Sequence, residues 1–258
     1  MIFDSHVHTK FSADSEMQLA DAVKAAKEKG IGLVLTEHLD FDYPGDLIFR
    51  FNPAAYFAEY GAQRSGAALR LGVEMGMQAC CVEKNKKFIG QENFDMVIGS
   101  VHLLEGKDIY YPEFYKGRKK TEVYNLYFTE MAKLLRMHSF IDVLGHIDYI
   151  ARYAPYSDSN LQYNAFAEPI DALLKIAVAQ GNVLELSTRR LTDRLALKTL
   201  VPIYKRYYEL GGRYVTIGSD AHVPEAVGGN FIAAKELCTL IGLKIVSFYQ
   251  RKMEVAVK

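Results

Sequence analysis

Cysteine is scarce in this sequence: three in 258 residues, two adjacent as Cys80-Cys81 and the third at Cys238. That is neither an even disulfide framework nor a Cys-x-x-Cys zinc site, and it fits a chain that works in a reducing cytoplasm. An excess of charge of one sign is also missing. Lysine plus arginine and aspartate plus glutamate each number 31, so no global field draws nucleic acid or an anionic membrane. An anionic substrate must therefore be held by local charge. No apolar run approaches the roughly 18 residues that span a bilayer. The first residues carry no basic segment, apolar stretch and small-residue cleavage site; residue 2 already opens a strand, which argues against secretion. No Pro/Gly/Ser-rich linker and no repeat divides the chain, and its 258 residues suit a single domain of α/β-barrel size.

Half the residues are apolar and 24% are charged, ordinary for a soluble protein with a large core. Apolar strand-like runs at 2–6, 32–36, 69–74, 94–101, 143–146, 182–186 and 214–219 alternate with helical periodicity near 16–29, 53–66, 121–137, 162–180, 193–210 and 229–241. Ser15 and Gln18 stand at capping-box spacing before the first helix, which stops at Gly30. Asn52-Pro53 reads as an N-cap followed by a proline in the first turn of the second helix. Strand, helix, strand repeated about seven times implies parallel strands with right-handed crossovers. Periodicity alone leaves a closed barrel and an open doubly wound sheet equally possible.

Six of the seven histidines fall in short motifs just after an apolar run: His6 and His8 in Asp4-Ser5-His6-Val7-His8-Thr9, His38 in Thr36-Glu37-His38-Leu39-Asp40, His102 in Ser100-Val101-His102, His146 in Gly145-His146-Ile147-Asp148, and His222 in Gly218-Ser219-Asp220-Ala221-His222. Side chains at i and i+2 of a strand point the same way, so His6 and His8 project together, as do Asp220 and His222 where their strand continues. Functional groups at the ends of many strands favour the barrel, whose mouth collects them; an open sheet concentrates them at one switch point. Imidazole with carboxylate suits zinc, manganese or iron, and the absence of cysteine from the set indicates a catalytic site. With Glu74 and Asp14 added to Asp220 and the six histidines, nine ligands are available. A catalytic metal takes about three or four, so nine imply two or three ions with a bridging carboxylate.

These motifs, taken in order along nearly the whole chain, resemble the polymerase and histidinol phosphatase (PHP) superfamily and are most similar to its monofunctional histidinol-phosphate phosphatases. The resemblance implies an α/β fold, a distorted (β/α)7 TIM-like barrel with a trinuclear centre at its mouth. It also implies that His6, His8, Glu74 and Asp220 hold one metal, and that Glu74 bridges to a second held by His102 and His146. A third takes His38 and His222, with Asp14 where some members carry histidine. The implied reaction is hydrolysis of a small phosphate monoester, L-histidinol phosphate, to L-histidinol and phosphate.

The chemistry suits the residues. Water between two such ions is a hydroxide at neutral pH, because coordination lowers its pKa to roughly 7, and the ions neutralise charge on the phosphoryl oxygens. Glu74, Asp220 and His222 are the expected catalytic residues, with Asp220 or His222 carrying the proton to the leaving alkoxide. Arginine grips phosphate bidentately, and Arg152, Arg189 and Arg190 follow predicted strands on the mouth side. In the last two, Ser187-Thr188-Arg189-Arg190 replaces the Asn-Thr-Ser-Gly-like stretch common in histidinol-phosphate phosphatases, so a solvated loop pair is the other reading. Glu37, Asp40 and Asp148 are candidates for orienting metal-bound imidazoles and equally for ordinary loop hydrogen bonding. His138, at a helix end, reads as a partner of the helix dipole or a solvated residue. Tyr110-Tyr111 and Tyr204, Tyr207 and Tyr208 read as packing and surface aromatics. Other phosphoesterases of the superfamily, acting on phosphotyrosine or nucleotide phosphodiesters, and a metal-binding module without catalysis are the competing functions. No nucleic acid or membrane partner is expected, and the oligomeric state is not legible.

Overall fold

The computed structural model describes residues 1–256. In chain order the elements are β1 (Phe3–Val7), α1 (Leu19–Glu28), β2 (Gly32–Leu39), α2 (Pro53–Tyr60), β3 (Leu69–Gly76), α3 (Val82–Ile89), β4 (Val97–Ser100), a hairpin of β5 (Leu103–Leu104) and β6 (Lys107–Asp108), and α4 (Lys120–Met137). They continue as β7 (Val143–Leu144), α5 (Tyr149–Tyr153), α6 (Ala167–Gln180), β8 (Val183–Ser187), α7 (Arg194–Glu209), β9 (Tyr214–Gly218), α8 (Phe231–Ile241), β10 (Lys244–Tyr249) and β11 (Lys252–Val255).

Strands β1-β2-β3-β4-β7-β8-β9 pair in that order, each parallel to the next, as strand–helix–strand crossovers require. The two ends of this series meet. Val7 and Ala221 form a parallel bridge just beyond β9, with His8 N donating to Ala221 O at 2.8 Å. The buried Asp4 carboxylate adds a second tie, accepting from Ser219 N at 2.9 Å, Ser219 Oγ at 2.6 Å and Gly228 N at 2.7 Å. β10 pairs only with the start of β9, through Tyr214 and Val215, so the end of β9 is left free to reach β1. The result is a distorted seven-stranded (β/α) barrel extended at one edge by the antiparallel β10–β11 pair.

Side-chain alternation divides each strand between two environments. Leu33, Leu35, Leu71, Val73, Val97, Leu144, Leu184, Leu186, Val215 and Ile217 join the large core shared with the helices. The other face begins apolar: Phe3, Val34, Met96, Ile98, Val143, Val183, Val246 and Phe248 form a separate buried cluster. Two and four residues further on, this face carries Thr36 and His38 on β2, Ser100 and His102 from β4, and Glu185 and Ser187 on β8. The apolar plug and the polar site are thus successive layers of the same inward faces.

Some expectations are corrected. α1 starts at Leu19, and its N-cap Gln18 makes no side-chain cap bond. Ser15 is used elsewhere, its hydroxyl lying 3.3 Å from His8 O and 3.1 Å from His222 O. α2 stops at Tyr60 and gives way to a short 3-10 turn, although Asn52 caps its start as expected, accepting from Ala55 N. α3 escaped notice because Glu83, Lys84, Lys86 and Lys87 leave only a narrow apolar stripe in eight residues. β10 and β11 were overlooked although Ile245-Val246-Ser247-Phe248-Tyr249 is strand-like in composition.

Candidate metal centre

All nine expected ligands converge at the C-terminal mouth of the strands. His6 lies on β1 with His8 just beyond it, His38 and Glu74 lie on β2 and β3, and His102, His146, Asp220 and His222 follow β4, β7 and β9. Asp14 comes from the loop before α1. The Asp220 backbone turns into the left-handed region, φ 54°, a conformation that aspartate tolerates better than most residues. A Cβ on Gly218 would collide with His6 Cβ and the Glu185 carboxylate, so glycine there lets three strands approach.

The donor atoms form three sets around Glu74. His6 Nε2 is 3.2 Å from Glu74 Oε2 and 3.7 Å from Asp220 Oδ1, while His8 Nε2 is 3.6 Å and 3.3 Å from the same two oxygens. Glu74 Oε1 faces His102 Nε2 at 3.3 Å and His146 Nε2 at 2.8 Å. Asp14 Oδ2 faces His38 Nε2 at 3.5 Å and His222 Nε2 at 3.2 Å, and His38 Nδ1 lies 2.9 Å from Glu74 Oε2.

Neighbouring hydrogen bonds decide which ring nitrogens are lone pairs. His6 Nδ1 donates to Glu185 Oε1 at 2.6 Å, and His102 Nδ1 meets Asp40 Oδ1 at 3.1 Å. Ser12 Oγ gives its proton to Glu37 at 2.7 Å and so accepts from His8 Nδ1 at 3.0 Å; His222 Nδ1 donates to Asp220 O at 3.0 Å. Each of these rings therefore turns Nε2 towards carboxylate oxygens, where it offers a lone pair to a metal ion or, without one, can hold a proton. His6 Nε2, His8 Nε2, His38 Nδ1 and Glu74 Oε2 are buried without any hydrogen-bond partner. Such groups cost about 1–3 kcal/mol each when left unmade, and a cation between them removes the cost. A divalent ion about 2.0–2.2 Å from each donor sets neighbouring donors about 3–3.5 Å apart. The residues fit metal ions.

Electrostatics agree. Burial opposes charge on His6, yet Glu185, Glu74 and Asp220 outweigh it and hold the ring well above its ordinary pKa. His102 behaves likewise through Asp40 and Glu74, and His38 is raised to about 10 against burial by Glu74 and Asp14. Burial and the neighbouring His38 and His222 push His8 down. The carboxylates of Glu74, Asp14 and Asp220 fall below the usual range despite burial, through His6 and His102, through His222 and His38, and through Arg152 and His6 respectively. The pocket attracts positive charge and keeps its oxygens ionised.

Of the candidate orienting residues, Glu37 bonds Thr9 and Ser12, and Asp40 bonds His102. Asp148 instead lies 3.7 Å from Arg190. Glu185 was missed: it grips His6 and also accepts from His146 N at 2.6 Å. An ionisable residue inside an otherwise apolar parallel strand was the available signal. His138 caps α4 and is buried, its Nδ1 at 2.9 Å from Leu134 O, so the solvated alternative is excluded.

The arginines separate. Arg152 is partly buried, donating to Asp220 Oδ2 at 2.5 Å and Ser187 Oγ at 3.2 Å. Arg189 donates to Asp220 O at 3.0 Å and lines a cavity of about 370 Å³ over the ligand cluster. Arg190 turns away to Asn160 Oδ1 at 2.9 Å. Tyr110 and Tyr111, read as packing or surface aromatics, also line this cavity, whereas Tyr204 and Tyr207 are buried in the core.

Comparison with known proteins agrees with this geometry. The PHP domain family matches residues 4–189. A probable histidinol-phosphatase of Clostridium acetobutylicum is 46% identical over 256 residues, 99% of this chain and all of that one. The histidinol-phosphatase of Lactococcus lactis is 29% identical over 257 residues, covering 94% and 95% of the two chains. The crystal structure of the histidinol phosphate phosphatase from that organism, complexed with zinc, L-histidinol and phosphate, superposes with a TM-score of 0.92 at 28% identity, covering 98% of each chain.

Proposed function

The chain belongs to the PHP domain family, and from that premise we propose that it is a phosphoric monoester hydrolase converting L-histidinol phosphate to L-histidinol and phosphate in histidine biosynthesis. The observation that carries this reading is the set of buried, partnerless imidazole and carboxylate donors at the mouth, in a chain that matches histidinol-phosphatases over its whole length.

His6, His8, Glu74 and Asp220 would hold one ion, Glu74, His102 and His146 a second, and Asp14, His38 and His222 a third, with zinc, manganese or iron suiting the donors. Divalent ions held there acidify water and neutralise phosphoryl charge. The protein's own groups do the rest. Glu185, Asp40 and Ser12 fix the imidazole tautomers, and Arg152 holds Asp220 in place. Arg189, on the cavity wall, is placed to grip the phosphate, whereas Arg152 is held by Asp220 and Ser187 and Arg190 by Asn160. Proton transfer to the leaving alkoxide falls to Asp220 or His222. The chain works as one domain, in a reducing cytoplasm that suits its free thiols.

Turnover of phosphate monoesters, phosphotyrosine and phosphodiesters by the purified, metal-loaded enzyme tests the reading. Histidinol phosphate should exceed p-nitrophenyl phosphate by several powers of ten in kcat/KM, because the site uses the binding energy of its non-reacting groups in the transition state. Equal efficiency on both, or preference for a diester, would replace it with another phosphoesterase activity.

A further inference from the structure

The cavity above the ligand cluster is walled by two aromatic ladders. One rises from the site as His146, Tyr149, Tyr153, Tyr110 and Tyr111, with successive ring centroids 4.8, 5.0, 4.7 and 5.1 Å apart. The other rises as His38, Phe49 and Tyr43, at 5.4 and 4.7 Å. Asp108, at the end of β6, ties their outer parts together. Tyr43 Oη donates to its Oδ2 at 2.6 Å, and Tyr110 N donates to its Oδ1 at 2.7 Å. Burial and the Asp108 charge push the Tyr43 phenol far up, so it stays a donor to that carboxylate.

The cavity is therefore polarised. Its floor holds the metal-ligand cluster, and Arg189 is its one lysine or arginine among the described residues. Its rim holds a fixed carboxylate between aromatic rings. Phosphate belongs at the floor. A carboxylate flanked by aromatic faces is the chemistry that binds a cation or a flat cationic ring. A volume of about 370 Å³ suits one small molecule spanning both ends.

We propose that Asp108, with Tyr43, Tyr110 and Tyr153, forms the subsite for the cationic end of the substrate, the ammonium and imidazole groups of L-histidinol phosphate, and sets the choice among phosphate monoesters. This rests on the substrate reading above. None of these four residues was singled out as a ligand from sequence, because the hairpin, α5 and the loop after β2 bring them together from separate places.

The test uses the metal-loaded enzyme with Asp108→Asn, Asp108→Glu and Tyr153→Leu. It reads the kcat/KM ratio of histidinol phosphate to p-nitrophenyl phosphate, and calorimetric binding of L-histidinol and of inorganic phosphate. Asp108→Asn should lower the ratio tenfold to about a hundredfold and weaken histidinol binding far more than phosphate binding, as loss of one charge-assisted contact predicts. Asp108→Glu should recover part of the ratio. Tyr153→Leu, which leaves Asp108's hydrogen bonds in place, should lower it several-fold and gives an independent reading if Asp108→Asn fails to fold. A selective wild type whose Asn and Leu variants are equally selective overturns the subsite alone. A wild type with no preference for histidinol phosphate overturns the substrate reading and the subsite together.

Discussion

The two ends of the barrel interior are made by the same faces of the same strands, yet they obey opposite rules. At the N-terminal end Val34, Met96, Ile98, Val143 and Val183 are packed and apolar. Two to four residues on, Ser100, His102 and Glu185 are also buried but polar, His38 is partly buried, and neighbouring His6, His8 and Glu74 keep donor atoms without partners. Burial is similar and its energetic sign is not. The plug gains roughly 1.5–3 kcal/mol for each large apolar side chain it encloses. The mouth accepts the cost of enclosed polar atoms that lack hydrogen-bond partners, which a bound cation relieves. The contrast locates stability at one end and chemistry at the other, as barrels of this type do.

The sharpest way to break the comparison is at the mouth. Glu74→Ala removes the carboxylate that joins the first two donor sets and should lower kcat by about three orders of magnitude or more, with loss of bound metal and unchanged circular dichroism. Near wild-type kcat would show that the shared carboxylate is misassigned. At the plug the effect should invert. Met96→Ala should cost about 2–5 kcal/mol of stability by denaturant unfolding, with metal stoichiometry and kcat of the folded enzyme retained. A loss of metal in that variant would mean that the two layers are not separable.

Glu185→Gln sharpens the boundary between them, since it keeps the shape and removes the charge behind His6. Metal affinity should fall about 10- to 100-fold, as for other partners of metal-bound histidines, while the melting temperature of the metal-free protein moves little beside it. Unchanged affinity would assign Glu185 to the plug's structural role. The smallest effect is a pH dependence of the metal-free protein. His38 is raised to about 10 in the folded state against roughly 6.5 unfolded, so its contribution is complete below about pH 6.5 and disappears as pH rises through 10. The native state binds the extra proton in that window, so the slope of stability with pH is negative. Melting temperature of chelator-treated protein should therefore fall between pH 7 and 9, and that of metal-loaded protein should not follow it. Parallel curves would show that His38 keeps its proton with metal present.

The seven barrel strands and most of the candidate ligand positions were legible because each rests on a local signal: apolar runs for the strands, and a histidine or carboxylate where those runs stop, paired at i and i+2 in His6/His8 and Asp220/His222. Glu185 has no such spacing; its bond to His6 depends on β8 and β1 lying on either side of β9, close together at Gly218. Asp108, Tyr110 and Tyr153 come together through a hairpin and a five-residue helix, neither of which leaves a periodic trace. Ser15 matched a helix-capping pattern but binds backbone carbonyls of the site, because tertiary contacts outbid a local motif of about 1 kcal/mol. Arg152 and Arg190 stood at the expected places in the chain, but only side-chain packing distinguishes an arginine that braces Asp220 from one that faces Asn160.

Whether the mouth is a multinuclear metal centre that hydrolyses histidinol phosphate is decided by a metal titration. Metal-free protein is supplied with increasing equivalents of zinc, manganese or iron while bound metal and turnover of histidinol phosphate are read on the same samples. Activity should be absent without metal and reach its plateau only at two to three bound ions per chain. Full activity at one ion, or at none, would contradict the account.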